Sequence, residues 1–173
     1  FDIECEKSPL KFPDASKDRI YMISYMFNGI GFLITNREIV SEDVQDFEYN
    51  PSSRFPGPFT VFNEPNEGAL LRKFIFHVRE LCCHVCVTYN GDLFDWPYMD
   101  ARCMKYGLCL YTQLGIRVIR ANSSKIGRGE YVGRCMIHLD AFAWVNRDSY
   151  LPQGSRGLKA VTRYKLGYDP VEI

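Results

Sequence analysis

The chain has 173 residues, enough for one domain with a sizeable core, and its 46% hydrophobic and 24% charged composition is that of an ordinary globular protein. It contains no run of about 18 apolar residues, so no membrane-spanning helix is expected, and its start lacks the basic and apolar regions of a secretory signal. The zero net charge excludes a uniformly basic glove for nucleic acid, yet residues 1–68 carry twelve acids against six bases and residues 69–173 nine against fifteen. Such a division suits a site that holds cations on one wall and phosphates on the other.

The first segment, Phe1-Asp2-Ile3-Glu4, reads as a strand. Strand side chains alternate faces, so Asp2 and Glu4 point one way and Ile3 the other, toward the core. A loop through Pro9 and Pro13 leads to a second apolar run, Ile20 to Met26. The Asn28-Gly29 pair then predicts a tight hairpin into Ile30–Ile34, because both turn positions want positive φ. Residues 36–58, with Pro51, Pro56 and Pro58, read as an irregular connection, and Phe59–Phe62 as a short strand.

Leu70, Leu71, Phe74, Ile75, Val78 and Leu81 recur at helical spacing and predict a helix from about Pro65 to Leu81. Val85–Tyr89 is the next predicted strand, buried, and a helix from about Phe94 to Tyr106 stops at Gly107. Residues 120–134, rich in Ser, Gly and Arg, read as a mobile insertion, and Asn122-Ser123-Ser124 within them as a polar loop. Met136–Asp140 is a predicted strand, Ala141–Arg147 helical, 149–157 a Pro/Gly loop and Leu158–Leu166 a last helix. Strands first, then helices alternating with strands, predict one α/β domain over residues 1–173: a mixed sheet flanked by helices.

The seven cysteines are odd in number and irregularly spaced, which is no disulfide framework. Cys82, Cys83 and Cys86 with His84 lack a second pair to complete a tetrahedral zinc site, and are read as reduced, buried thiols.

The chemistry concentrates at the strand ends. Tyr89-Asn90-Gly91-Asp92-Leu93-Phe94-Asp95 brings a further acid to the end of a strand, to join Asp2 and Glu4. Hard oxygen ligands side by side suit a pair of Mg²⁺ ions clamping a phosphodiester, the chemistry of a metal-dependent nuclease. Asp2, first on its strand, is the candidate to bridge both ions, Glu4 reaches one, and Asp95 holds the second. Crowded carboxylates repel, so without metal at least one should have a raised pKa. Asn90 either fixes the turn before Gly91 or hydrogen-bonds a ligand carboxylate or a terminal nucleotide. Phe94 either stacks on a base or anchors the core. Asp92 is expected to cap the following helix, and Asp140 to hold a strand–helix junction rather than a metal. Arg156, Lys159, Arg163 and Lys165 either meet DNA phosphates or are merely solvated.

Phe1–Glu4 resembles the first exonuclease motif of family B DNA polymerases, and Tyr89–Asp95 resembles the second. Lys11–Asp14, Ile34–Asp43, Val61–Pro65, Asp95–Pro97, Arg147–Pro152 and Lys165–Glu172 are similar to the eukaryotic replicative members, and the likeness fades around Gly115 to Arg134. The resemblance implies a ribonuclease-H-like 3′→5′ exonuclease fold, proofreading of a frayed single-stranded primer end, and two Mg²⁺ ions, with Mn²⁺ possible in their place. It also implies a nuclear protein with DNA and other subunits of a polymerase holoenzyme as partners. It tilts Phe94 toward the substrate. The family carries a further acid in a Tyr-x-x-x-Asp helix, and no tyrosine here is followed four residues later by aspartate. A piece of a longer polymerase, stopping before that helix and with little exonuclease activity by itself, is therefore expected. The alternatives are a non-catalytic module that holds single-stranded DNA and a stand-alone nuclease of the same fold.

Overall fold

The computed structural model describes residues 1–50, 57–120, 129–147, 151, 154 and 156–168. Its first five strands are β1 (Asp2–Cys5), β2 (Ile20–Phe27), β3 (Ile30–Asn36), β4 (Phe47–Tyr49) and β5 (Gly57–Glu64). They form one mixed sheet in the order β1-β2-β3-β5-β4, in which only β3 and β5 run parallel. The β2–β3 hairpin turns at Asn28 and Gly29 with φ of +50° and +81°, as the sequence predicts.

Helix α1 (Glu67–Leu81) starts where the Asn66 side chain accepts the Ala69 N–H at 2.9 Å, satisfying one of the free donors of its first turn. It buries Leu70, Leu71, Phe74 and Ile75 in one core with Ile3, Ile23 and Ile34. The strand β6 (Val85–Thr88) follows, then α2 (Asp95–Lys105), whose Trp96, Met99 and Cys103 join the same core. A short α3 (Leu110–Leu114) leads to β7 (Ile116–Arg120), β8 (Gly129–Gly133), β9 (Ile137–Asp140), α4 (Ala141–Arg147) and α5 (Leu158–Leu166). β6 and β9 pair in parallel, β7 and β8 antiparallel. The Phe1 nitrogen donates to the Val87 carbonyl at 2.8 Å, which brings the start of β1 beside β6.

The mixed sheet with helices is the expected class, but four local expectations fail. Part of the 36–58 connection is strand: Phe47 stacks on Phe59 with centroids 4.8 Å apart, and β5 already begins at Gly57. A three-residue edge strand is too short to show a period. The 120–134 insertion is strand on its far side, since β8 pairs with β7 and buries Tyr131; residues 121–128 and the Asn122 sequon lie outside the described residues. In β6 and β9, Val85, Val87, Ile137 and Leu139 are about half exposed, at 47–66%, so these strands bury one face only. Lastly, among the three clustered cysteines Cys83 and Cys86 are half-buried but Cys82 is exposed, because it takes the left-handed position that ends α1. Of the 149–157 loop, the described members are non-helical and the others lie outside the described residues.

One buried ion pair holds the ends of these elements together. Glu67, fully buried at the start of α1, accepts from Ile20 N at 2.8 Å, Arg102 Nε at 2.7 Å, the Tyr106 hydroxyl at 2.8 Å and Arg102 Nη2. Arg102 also donates Nη1 to the Ala15 carbonyl at 3.1 Å. Arg102→Met should leave the Glu67 charge unpaired in the interior and destabilise the fold by about 3–5 kcal/mol in urea unfolding. Lys17→Ala, at an exposed ion pair with Asp14, should shift stability by less than about 1 kcal/mol.

Candidate functional site

Asp2 and Glu4 are exposed on one face of β1 while Ile3 and Cys5 are buried on the other, the alternation expected of a strand. Asp95 opens α2 and is buried, its Oδ1 accepting the Ile3 N–H at 3.2 Å. This contact, across 92 residues of sequence, seats the Asp95 carboxylate against β1 beside Asp2. Burial first, then the charge and hydrogen bond of Asp2, push the Asp95 carboxyl up to about 7. Glu4 is also raised, by burial and then by the charge of Asp2, with Lys7 opposing. Asp2 is thus the shared neighbour of the other two acids.

The turn that delivers Asp95 is held by polar groups on β9. Asp140, opposite Thr88 in the parallel ladder, accepts from the backbone N–H groups of Asn90 at 2.8 Å, Asp92 at 3.1 Å and Phe142 at 3.0 Å. These bonds give Asp140 the structural role expected of it. His138 Nδ1 donates to the Tyr131 carbonyl at 2.7 Å, so in the neutral ring Nε2 accepts from the Thr88 hydroxyl at 2.8 Å. A side chain at Gly91 would place its Cβ 2.3 Å from the Thr88 hydroxyl oxygen, so only glycine allows the chain to turn this tightly. Asp92 does not cap α2: its Oδ1 accepts the Tyr131 N–H at 2.7 Å, and the helix begins at Phe94 without a side-chain cap. The competing donor came from β8, which sequence spacing could not bring near.

Asn90 and Phe94 both line a groove of about 710 Å³ beside Glu4. Asn90 is a turn residue, with φ of +68°, and its buried Oδ1 has no hydrogen-bond partner. Phe94 is half-buried against the core and packs on Tyr98 with centroids 5.5 Å apart, while still reaching the groove. The same groove takes in Lys7, Leu10, Lys11 and Phe12, which sequence reading passed over as loop. Leu10 and Phe12 are almost wholly exposed, and two apolar side chains flanking Lys11 between Pro9 and Pro13 were the available signal.

The chain matches the family described as DNA polymerase family B, exonuclease domain, over residues 1–161. Over all 173 residues it is 57% identical to the DNA polymerase epsilon catalytic subunit of Aspergillus fumigatus, 53% to that of Saccharomyces cerevisiae and 54% to that of Dictyostelium discoideum. It spans 7–8% of the length of these relatives.

Three carboxylates with hard oxygen donors fit a divalent cation in chemistry, and Asp95 is raised by its burial first and by the neighbouring Asp2 second. In geometry the fit is incomplete: among the described residues, no three His, Cys, Asp or Glu side chains are spaced to hold one metal ion. Because burial and Asp2 raise the folded Asp95 to about 7 against 3.8 for a free carboxyl, its contribution to metal-free stability is full below about pH 4 and is lost as pH rises through 7. Asp95→Asn keeps an acceptor for the Ile3 N–H and lacks the charge. In urea unfolding without metal it should gain stability over the parent chain between pH 4 and 7, approaching about 4 kcal/mol, with the two curves meeting near pH 4.

Proposed function

The chain belongs to the exonuclease domains of DNA polymerase family B, and we propose that it is the proofreading 3′→5′ exonuclease unit of a replicative polymerase of the epsilon type. The observation that supports this reading is the seating of Asp95 against β1 beside Asp2, with Glu4, two residues along the same strand, lining the groove that also holds Asn90 and Phe94. Asp2, Glu4 and Asp95 would hold two Mg²⁺ ions, or Mn²⁺ in their place, which when bound supply an activated water and stabilise the leaving 3′ oxygen. Asp2, the neighbour of both other acids, would be the shared ligand, with Glu4 on the groove side and Asp95 on the α2 side.

The groove would receive the 3′-terminal nucleotide. Phe94 would offer a ring edge for the base, and Asn90, which also lines the groove, would hydrogen-bond the terminal nucleotide. A mismatched primer end suits such a site because it costs less to unpair than a matched one. The fold would be the ribonuclease-H-like one of proofreading domains, with a further acid supplied by a Tyr-x-x-x-Asp helix elsewhere in the polymerase. The working protein would be nuclear and assembled with the other subunits of its holoenzyme.

In the polymerase that contains this domain, Asp2→Ala with Glu4→Ala should lower Mg²⁺-dependent release of 3′ nucleotides from a labelled single strand by more than about a hundredfold. Binding of that strand should survive, since the two acids hold metal rather than DNA. Near-normal digestion would refute the assignment. Phe94→Ala should weaken binding of the strand by roughly 1–3 kcal/mol if the ring stacks on a base. Unchanged affinity would return Phe94 to the core.

A further inference from the structure

Helices α4 and α5 present a surface that the catalytic reading does not use. Between 141–147 and 156–168 the chain has Arg147, Arg156, Lys159, Arg163 and Lys165 and no acid. The buried side of the two helices is Val145, Val161 and Thr162. Lys159 and Arg163, four residues apart on α5 and exposed, share one helix face. On the same two helices Trp144 and Tyr164 are 47% and 57% exposed, and Lys165 Nζ lies 5.7 Å from the centroid of each ring. Exposed cations and exposed aromatic rings on neighbouring helices are what a single-stranded nucleic acid requires: charge for its backbone and rings for its bases.

The surface also leads to the site. Leu158, first in α5, and Ala141, first in α4, line a groove of about 410 Å³ together with Asp2, Val87, Thr88 and Tyr89. The Tyr89 hydroxyl donates to the Arg156 carbonyl, tying the approach to α5 to the strand end that leads into the Asp95 turn. A strand whose last nucleotide sits in the groove beside Glu4 would run past Asp2 into this second groove, which leads onto α5.

We infer that α4 and α5 form a track for single-stranded DNA leading to the acidic site, with Lys159 and Arg163 on successive phosphates and Trp144 and Tyr164 stacking on bases. This rests on the exonuclease reading for its occupant. Duplex DNA would use the cations but not the rings, because its bases are already stacked.

The test uses the polymerase containing this domain, with a fluorescent oligothymidine and Ca²⁺ in place of Mg²⁺ to measure binding without digestion. Lys159→Gln with Arg163→Gln should weaken binding about tenfold near 0.1 M salt. It should also flatten the slope of log affinity against log salt by about 1.4, the value for two phosphate contacts on a single strand. Trp144→Ala should weaken binding at least about fivefold without changing that slope, because stacking releases no counterions. Arg72→Gln with Lys17→Gln, exposed cations on other elements, is the control and should change neither quantity. With Mg²⁺, cleavage of a dinucleotide, whose one phosphate is the scissile one, should proceed at the parent rate in the Lys159/Arg163 variant while KM for the long strand rises. Parent-like affinity and slope in that variant, or an equal effect of the control pair, would overturn the track and leave the catalytic reading standing. Equal losses on duplex and single strand with no effect of Trp144→Ala would also overturn it, in favour of a purely electrostatic duplex surface. Failure of the catalytic reading shows separately, as normal digestion by the Asp2/Glu4 variant.

Discussion

The placement of the acidic site depends on a charge that has no water. Glu67 is fully buried, a position that costs several kcal/mol unless its oxygens are well paired. Four donors supply that pairing, from the first residue of β2, from two nitrogens of Arg102 in α2, and from Tyr106 just beyond α2. The same carboxylate belongs to the first turn of α1. Three elements are thereby locked to one point, and a non-specific apolar core would leave their mutual register freer. Since Asp95 opens the helix that carries Arg102, fixing α2 against β2 also fixes where Asp95 meets β1, the neighbour of β2.

A second buried carboxylate does comparable work at the other end of the site. Asp140 gathers two backbone N–H groups that a turn as tight as 89–95 would otherwise leave open and a third from the start of α4, and His138 and Asp92 tie that turn to β8. The site itself is left in an unfavourable state: Asn90 in a left-handed conformation, its side-chain oxygen unpartnered, and Asp95 pressed against Asp2.

The sheet faces divide the labour. One side of β1 and β2 buries Ile3, Cys5, Ile20 and Ile23 in the core with α1 and α2, while the other carries Asp2 and Glu4 in the open. The apolar but half-exposed Val85, Val87, Ile137 and Leu139 show that β6 and β9 likewise have an uncovered face. A groove joins Asp2 and Val87 to Leu158, so the acidic site opens toward the basic end of the molecule. On the proposed reading, the separation of acids and bases along the chain would become a separation between a metal-holding edge and a strand-holding surface.

Whatever depends on near neighbours was legible in the sequence. The alternation that sets Asp2 and Glu4 together, the Asn28-Gly29 turn, the period of α1 and the end of α2 before Gly107 are all determined by a few adjacent residues whose backbone preferences and side-chain spacing agree. The candidate acids could be named for the same reason, since Asp-x-Glu and Asn-Gly-Asp-Leu-Phe-Asp are local patterns. What only the tertiary structure decided are pairings across long stretches of chain. These include the parallel seating of β5 on β3, the Tyr131 N–H that draws Asp92 away from its own helix, the Glu67–Arg102 pair, and the Ile3–Asp95 bond that joins the two motifs. Such contacts form only when burial removes the competing water and the chain closes large loops to bring the partners together, and neither condition is written in the spacing of residues.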